Sequence, residues 1–198
     1  YPVLYMHDGQ NVFEAFVGDS YAGSWQADWV ADRLIEQALL PECIIVGVSH
    51  GNENRIKEYL PPFSRFPLLE DGEDQNKSIQ GEADRTAAFY IEDVAPFIRE
   101  KYRITLDRSL TATCGSSMGG LFSLYLAWTH PEFAQNHAAM SPSIWATKNQ
   151  DEAYELIEMM GQTQPDIHLW IDSGTFAADK QGNDGQAEVK LACEALLK

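Results

Sequence analysis

The residues of this chain best suited to covalent chemistry lie in Cys114-Gly115-Ser116-Ser117-Met118-Gly119-Gly120. A β-prone run, Ser109 to Thr113, precedes them, and an apolar, helix-prone run, Leu121 to Trp128, follows. Strand, G-x-S-x-G and helix in that order make a nucleophile elbow, in which a serine projects from a strained turn. Gly115 and Gly119 stand two residues either side of Ser117, and Ser116 has no such pair. Small residues at those positions let the strand and helix approach closely, and Gly120 lets the helix lie near the sheet. The Met118 N–H opens the helix and has no intrahelical partner, so it is placed to hold negative charge developing on an acyl oxygen. The chemistry implied is acyl transfer through the Ser117 hydroxyl. Cys114 reads as strand packing, not as the nucleophile.

The elements needed to position Ser117 are present in the pattern. Apolar runs suited to buried parallel strands occur at Pro2–Met6, Cys43–Ser49, Leu110–Cys114, Ala138–Ser141 and Ile167–Asp172. Between several of them lie helical patterns. Ser24 to Leu40 is amphipathic, with Trp25, Trp29, Val30, Leu34 and Ile35 as expected core contacts. Glu82 to Tyr102 carries Phe89, Tyr90, Val94, Phe97 and Ile98 at helical spacing, with Pro96 expected to kink it. Leu121–Thr129, Asp151–Met160 and Asp184–Leu197 complete the set. Alternating strands and helices imply an α/β fold with a mostly parallel sheet flanked by helices. Sites in such sheets form at the carboxyl ends of the strands. There the sequence places His7-Asp8-Gly9, Ser49-His50-Gly51, Ser117, Ser141-Pro142-Ser143 and Asp172-Ser173-Gly174. Residues 52–80 lack clear periodicity and contain Pro61-Pro62, Pro67 and an acidic run; they are read as a cover loop over the site.

The 198 residues suit one domain with a sizeable core, and 44% hydrophobic with 22% charged residues is ordinary for a globular protein. The net charge of −16 argues against nucleic-acid binding, which needs a basic face, and makes a strongly anionic substrate a poor fit. No uncharged apolar run is long enough to span a bilayer. These features suit a soluble protein of a bacterial cytoplasm or periplasm. Three scattered cysteines make neither a disulfide framework nor a zinc site, and no metal or organic cofactor is implied. The chain opens on Tyr1-Pro2 straight into a strand and is read as a piece of a longer protein.

With these pieces assembled, the chain resembles the Putative esterase family of α/β-hydrolases, which includes enterochelin, feruloyl and acetylxylan esterases, S-formylglutathione hydrolase and the mycolyltransferases. The resemblance rests on Tyr1 through Phe13, Arg55 with Glu58-Tyr59, Phe89 through Arg103, the elbow, Ser141-Pro142-Ser143-Ile144-Trp145 and Asp172-Ser173-Gly174-Thr175. It implies the α/β-hydrolase fold, a Ser–acid–His triad and hydrolysis of a small-molecule ester. The loop His7–Asn11 is similar to the one that supplies the second oxyanion amide in that family, and its position favours Gln10, with Gly9 next. The family pattern puts the acid a few residues beyond Gly174-Thr175, which favours Asp179; Asp172 is the alternative, or else stabilises its loop. Trp145 is the first candidate for substrate contact, with core packing as its other reading. Trp25, Tyr59, Phe63 and Phe66 are further wall candidates, and aromatic walls suit a sugar, phenolic or siderophore ester. Arg55 either binds a carboxylate or sugar hydroxyl or pairs with a nearby acid. Two other readings are an acyltransferase, with a sugar hydroxyl replacing water, and a non-catalytic carbohydrate- or siderophore-binding domain.

No histidine follows Asp179; the five are His7, His50, His130, His137 and His168. In this fold the chain order is Ser, acid, His, and a serine without a base is a weak nucleophile. The base is therefore expected beyond Lys198, after a further loop and strand of roughly 10–20 residues. Residues 1–198 alone are expected to show little turnover of p-nitrophenyl acetate in a spectrophotometric assay; robust hydrolysis would contradict that reading.

Overall fold

The computed structural model describes residues 1–20, 23–67, 78–174 and 185–197. In chain order the elements begin with β1 (Val3–His7), α1 (Ala27–Glu36), β2 (Ile44–Val48), α2 (Arg55–Tyr59), β3 (Arg65–Pro67) and β4 (Ser78–Gln80). They continue with α3 (Ala83–Ala88), α4 (Ala95–Lys101), β5 (Thr111–Ser116) and α5 (Met118–Thr129). The last are β6 (Asn136–Met140), α6 (Glu155–Gln162), β7 (His168–Asp172) and α7 (Gln186–Leu196). Five strands form one parallel sheet in the order β2-β1-β5-β6-β7. β3 and β4 form a separate antiparallel hairpin. It lies within the expected cover loop, whose residues 68–77 fall outside the described residues.

Helix α5 is the centre of the core. Leu121, Phe122, Leu124, Leu126 and Ala127 have no exposed surface, and burial runs unbroken from Met118 to Trp128. A helix apolar on every side is one enclosed on every side. α5 packs on β5 and β6, and α2, α3 and α6 pack around it. The alternating burial of β5 and β6 marks the sheet face turned toward it.

The opposite face is covered less closely, and here two expected core contacts fail. In α1 only Ala31 is buried, while Trp29 and Val30 are 55% and 50% exposed. The helix stands off the sheet across an apolar cleft of about 680 Å³, bounded by Leu4, Met6, Ala112 and Cys114 below and Val30 and Leu34 above. Trp25 also lines this cleft.

The long helical pattern from Glu82 is likewise interrupted, but not first at the proline. Residues Phe89–Val94 form a π-helical segment between α3 and α4, and Pro96 lies in the first turn of α4. Pro96 has no N–H to donate back along the helix, which favours the wider turn before it. The extra residue per turn rotates the faces: Tyr90 and Ile98 are buried, whereas Phe89 and Phe97 are 48% and 56% exposed.

Two histidines are enclosed by this packing. His7, at the end of β1, meets Phe122 at a 4.8 Å ring separation and shares a 2.8 Å hydrogen bond with Tyr90. His137 in β6 bonds the Thr113 hydroxyl and the Ala134 carbonyl. Burial, reinforced by His137 and Arg55, lowers the His7 pKa to about 3. Burial also lowers that of His137 to about 4. In the unfolded chain both return to about 6.5, so below that pH the unfolded state binds protons the folded state refuses. Stability is expected to be independent of these groups above pH 6.5 and to fall below it, by up to about 1.4 kcal/mol per pH unit for each histidine. Urea unfolding at pH 7 and pH 5 should differ by a few kcal/mol; equal stability at both would contradict neutral burial.

Candidate active site

Ser117 occupies the turn between β5 and α5 with φ 58° and ψ −121°, a conformation that costs a non-glycine residue of order 1–3 kcal/mol. The surroundings hold it there. The Ser117 N–H donates to the Met140 carbonyl, and its own carbonyl accepts from Leu121 and Ser143, each at 3.0 Å. Contact distance requires a glycine at 115 and leaves little room at 119. A Cβ on Gly115 would come within 2.6 Å of the Gly119 backbone and of His7 Cδ2. One on Gly119 would press on Asp8 Oδ2 at 3.1 Å. Ser117 itself is exposed, and Met118 opens a 12-residue helix at its side.

The loop after β1 runs alongside. Asp8 adopts a left-handed conformation (φ 57°) and Gly9–Asn11 make a 3-10 turn. A Cβ on Gly9 would meet Ser49 N at 2.6 Å, so the turn lies directly on the end of β2. The Gln10 side chain clamps the same strand end, donating to the His50 carbonyl at 2.9 Å and accepting from the His50 N–H at 3.3 Å. Asp8 is nearly buried. Arg55 grips its carboxylate with Nε at 2.6 Å and Nη2 at 2.8 Å, and Nη2 also lies 3.4 Å from the Ser116 carbonyl. The Asp8 N–H donates to the Tyr59 hydroxyl. Of the two readings of Arg55, the geometry realises the pairing with an acid. Tyr59, a candidate pocket wall, is buried instead and stacks on Phe122 at 5.3 Å.

The third wall follows β6. Ser141 has φ 41°, and its N–H donates to both the carbonyl and Oδ1 of Asp172. The Asp172 carboxylate also accepts from Trp170 Nε1, so it braces this turn. Ser143 brings its hydroxyl within 3.1 Å of Ser117 Oγ. A 3-10 turn, Ile144–Thr147, then presents Trp145, 45% exposed, against Phe66 of the hairpin at a 5.8 Å ring separation. Phe63 is also exposed, at 40%, and packs on Tyr125. Spacing alone did not give Ser143 a role, because nothing in Ser141-Pro142-Ser143 reveals which hydroxyl turns toward the neighbouring strand.

No histidine hydrogen-bonds to Ser117 among the described residues. His7 and His137 are in the core, while His130 and His168 bond Glu132 and Asn136 at exposed positions. His50 is the nearest to the loop: its Nε2 lies 3.7 Å from Asp8, and its Nδ1 accepts from the Asn52 N–H. Burial lowers its pKa, only partly opposed by Asp8, so it is neutral at physiological pH. The Cys114 thiol is pushed up to about 11 by burial and by Asp172, and stays protonated. Asp179 lies outside the described residues. No helix among the described residues is long and apolar enough to cross a membrane.

The architecture has clear relatives. Ferri-bacillibactin esterase BesA of Bacillus subtilis is 28% identical over 73% of this chain and 48% of its own length. The chain thus spans about half the length of that curated relative. The enterobactin esterase FES from Shigella flexneri, solved in the presence of 2,3-dihydroxy-N-benzoyl-glycine, superimposes with a TM-score of 0.70. It is 17% identical, and the match covers 99% of this chain and 44% of that one. The ferulic acid esterase AmCE1/Fae1A of Anaeromyces mucronatus gives 0.63 at 23% identity, over 100% of this chain and 66% of that one. These likenesses fix the fold as that of the α/β-hydrolase esterases. The model of the family described as Putative esterase matches residues 1–195, and the chain belongs to that family.

Proposed function

We propose that this chain carries the nucleophile and oxyanion donors of a serine carboxylic ester hydrolase acting through an acyl-enzyme. One observation carries the reading: an exposed Ser117 hydroxyl on a strained strand-to-helix turn, at the amino end of a long helix. In the reaction Ser117 Oγ bonds to the ester carbonyl carbon while its proton passes to an imidazole base. The carbonyl oxygen gains charge and is held by the Met118 and Gln10 amides. The alcohol leaves with the proton, and water then repeats the sequence on the acyl-enzyme. Losing one oxyanion donor of this kind typically costs ~100-fold or more. Asp179 is assigned as the acid that orients the base. The base is assigned to a histidine outside these 198 residues, since all five present are engaged elsewhere.

The wall beside Ser117 supports a reading of the substrate class. Trp145, exposed, pairs with the half-buried Phe66, and an aryl acyl group can stack on the exposed face of Trp145. Family membership supports ester hydrolysis, and relatives named for bacillibactin and enterobactin point to a catecholate siderophore ester.

In the full-length gene product, a fluorophosphonate probe is expected to label Ser117, and Ser117→Ala is expected to abolish labelling. An unlabelled wild type, or labelling that survives the substitution, would refute the nucleophile. Trp145→Ala is expected to lower kcat/KM for a 2,3-dihydroxybenzoyl ester by about 3- to 10-fold, the worth of one aromatic contact. Its effect on p-nitrophenyl acetate should stay within about twofold, and an equal loss on both esters would remove Trp145 from substrate recognition.

A further inference from the structure

The hydroxyl of Ser143 is the one side-chain group among the described residues that hydrogen-bonds to Ser117 Oγ, at 3.1 Å. Ser143 is 3% exposed, although its partner faces solvent. Its backbone is fixed from both sides. The Ser143 N–H donates to the Ser117 carbonyl and its carbonyl accepts from Ala146, both at 3.0 Å, and the turn that leads into it is tied to Asp172 through Ser141. A nearly buried hydroxyl with a fixed backbone, aimed at the reacting oxygen, is more than the turn needs to close.

Resting on the nucleophile assignment above, we infer that Ser143 is a second catalytic hydroxyl, donating its hydrogen bond to Ser117 Oγ. With one lone pair of that oxygen engaged, the Ser117 O–H is turned away from Ser143 and toward the base. A second lone pair is left for the ester carbon. During attack the new bond forms between Ser117 Oγ and the carbonyl carbon, the carbonyl electron pair moves to its oxygen, and the Ser117 proton goes to the imidazole. Ser143 keeps its own proton throughout. Its hydrogen bond is strongest while Oγ carries partial negative charge, on the way into and out of the tetrahedral intermediate. It weakens in the acyl-enzyme, where Oγ is an ester oxygen, and returns as Oγ departs in deacylation. Acylation and deacylation therefore share the benefit.

The test uses the full-length gene product with Ser143→Ala, Ser143→Thr and Ser143→Cys beside Ser117→Ala. Ser143→Ala is expected to slow fluorophosphonate labelling and to lower kcat/KM for p-nitrophenyl acetate and butyrate by a common factor of about 10- to 100-fold. Tm should stay within a few degrees of wild type, because Ser117 can take a water in place of the lost partner. Ser143→Thr, which keeps the donor, should recover most of the rate, and Ser143→Cys, a weaker donor of similar size, should fall between. If Ser143→Ala is labelled at the wild-type rate while Ser117→Ala is not labelled, the nucleophile stands and the role of Ser143 falls. If Ser117→Ala is labelled like wild type, both fall. Thr and Cys variants that keep a native Tm yet are as slow as Ala would also overturn it, since the hydroxyl donor would then not be what matters.

Discussion

The site depends on how closely strand β5 and helix α5 approach each other. The turn that carries Ser117 closes because Gly115 lies nearer the Gly119 backbone than any Cβ permits. The turn is strained by of order 1–3 kcal/mol, and the same packing overcomes it. Burying Leu121, Phe122, Leu124 and Leu126 completely is worth roughly 1.5–3 kcal/mol each, several times the strain. Backbone hydrogen bonds to Met140, Leu121 and Ser143 remove the alternatives into which the turn could relax. The helix that anchors the fold thus also holds the serine in its unfavourable conformation.

A second constraint is electrostatic. The Asp8 carboxylate lies against the first turn of α5, at Gly119. An uncompensated carboxylate at this position would disfavour any further negative charge beside it. Arg55 cancels it with a bidentate grip and also approaches the Ser116 carbonyl, so the loop after β1 and the turn after β5 share one cation. The remaining floor is neutral: His7 is kept unprotonated by burial and bonds Tyr90, and the Tyr59 hydroxyl meets the Asp8 amide. Arg55 fits an organising role better than a substrate-facing one.

How much of this was legible in the amino-acid order varied with the range of the interaction. The five strands of the sheet and the elbow were readable because short apolar runs, glycine spacing and strand-to-helix order are local signals. Helix faces were less so. Trp29 and Val30 sit at core-like spacing, yet α1 stands off the sheet across an open cleft, and spacing within a helix says nothing about its distance from a partner. Phe89 and Phe97 mislead for another reason: a π-helical segment changes the period between them. The β3–β4 hairpin escaped because three-residue strands carry too little alternation to register. The Asp8–Arg55 pair and the Ser117–Ser143 contact join residues 47 and 26 positions apart, and only the folded topology brings them together.

That topology explains why so few residues suffice. Neighbouring strands in a sheet lie about 4.8 Å apart, and the order β1-β5-β6-β7 puts four consecutive carboxyl ends side by side. Asp8 and Gln10 leave β1, Ser117 leaves β5, Ser143 leaves β6, and Asp172 closes β7. Groups as distant in sequence as Gln10 and Ser143 are thereby confined to ends that lie two strand spacings apart, roughly 10 Å. That is the scale of a single ester and its acyl group. Under the proposed reading, variation in substrate comes from what is added around those ends. In this chain that means the hairpin that sets Phe66 against Trp145, because the strand ends themselves are already committed to holding Ser117 and its supports.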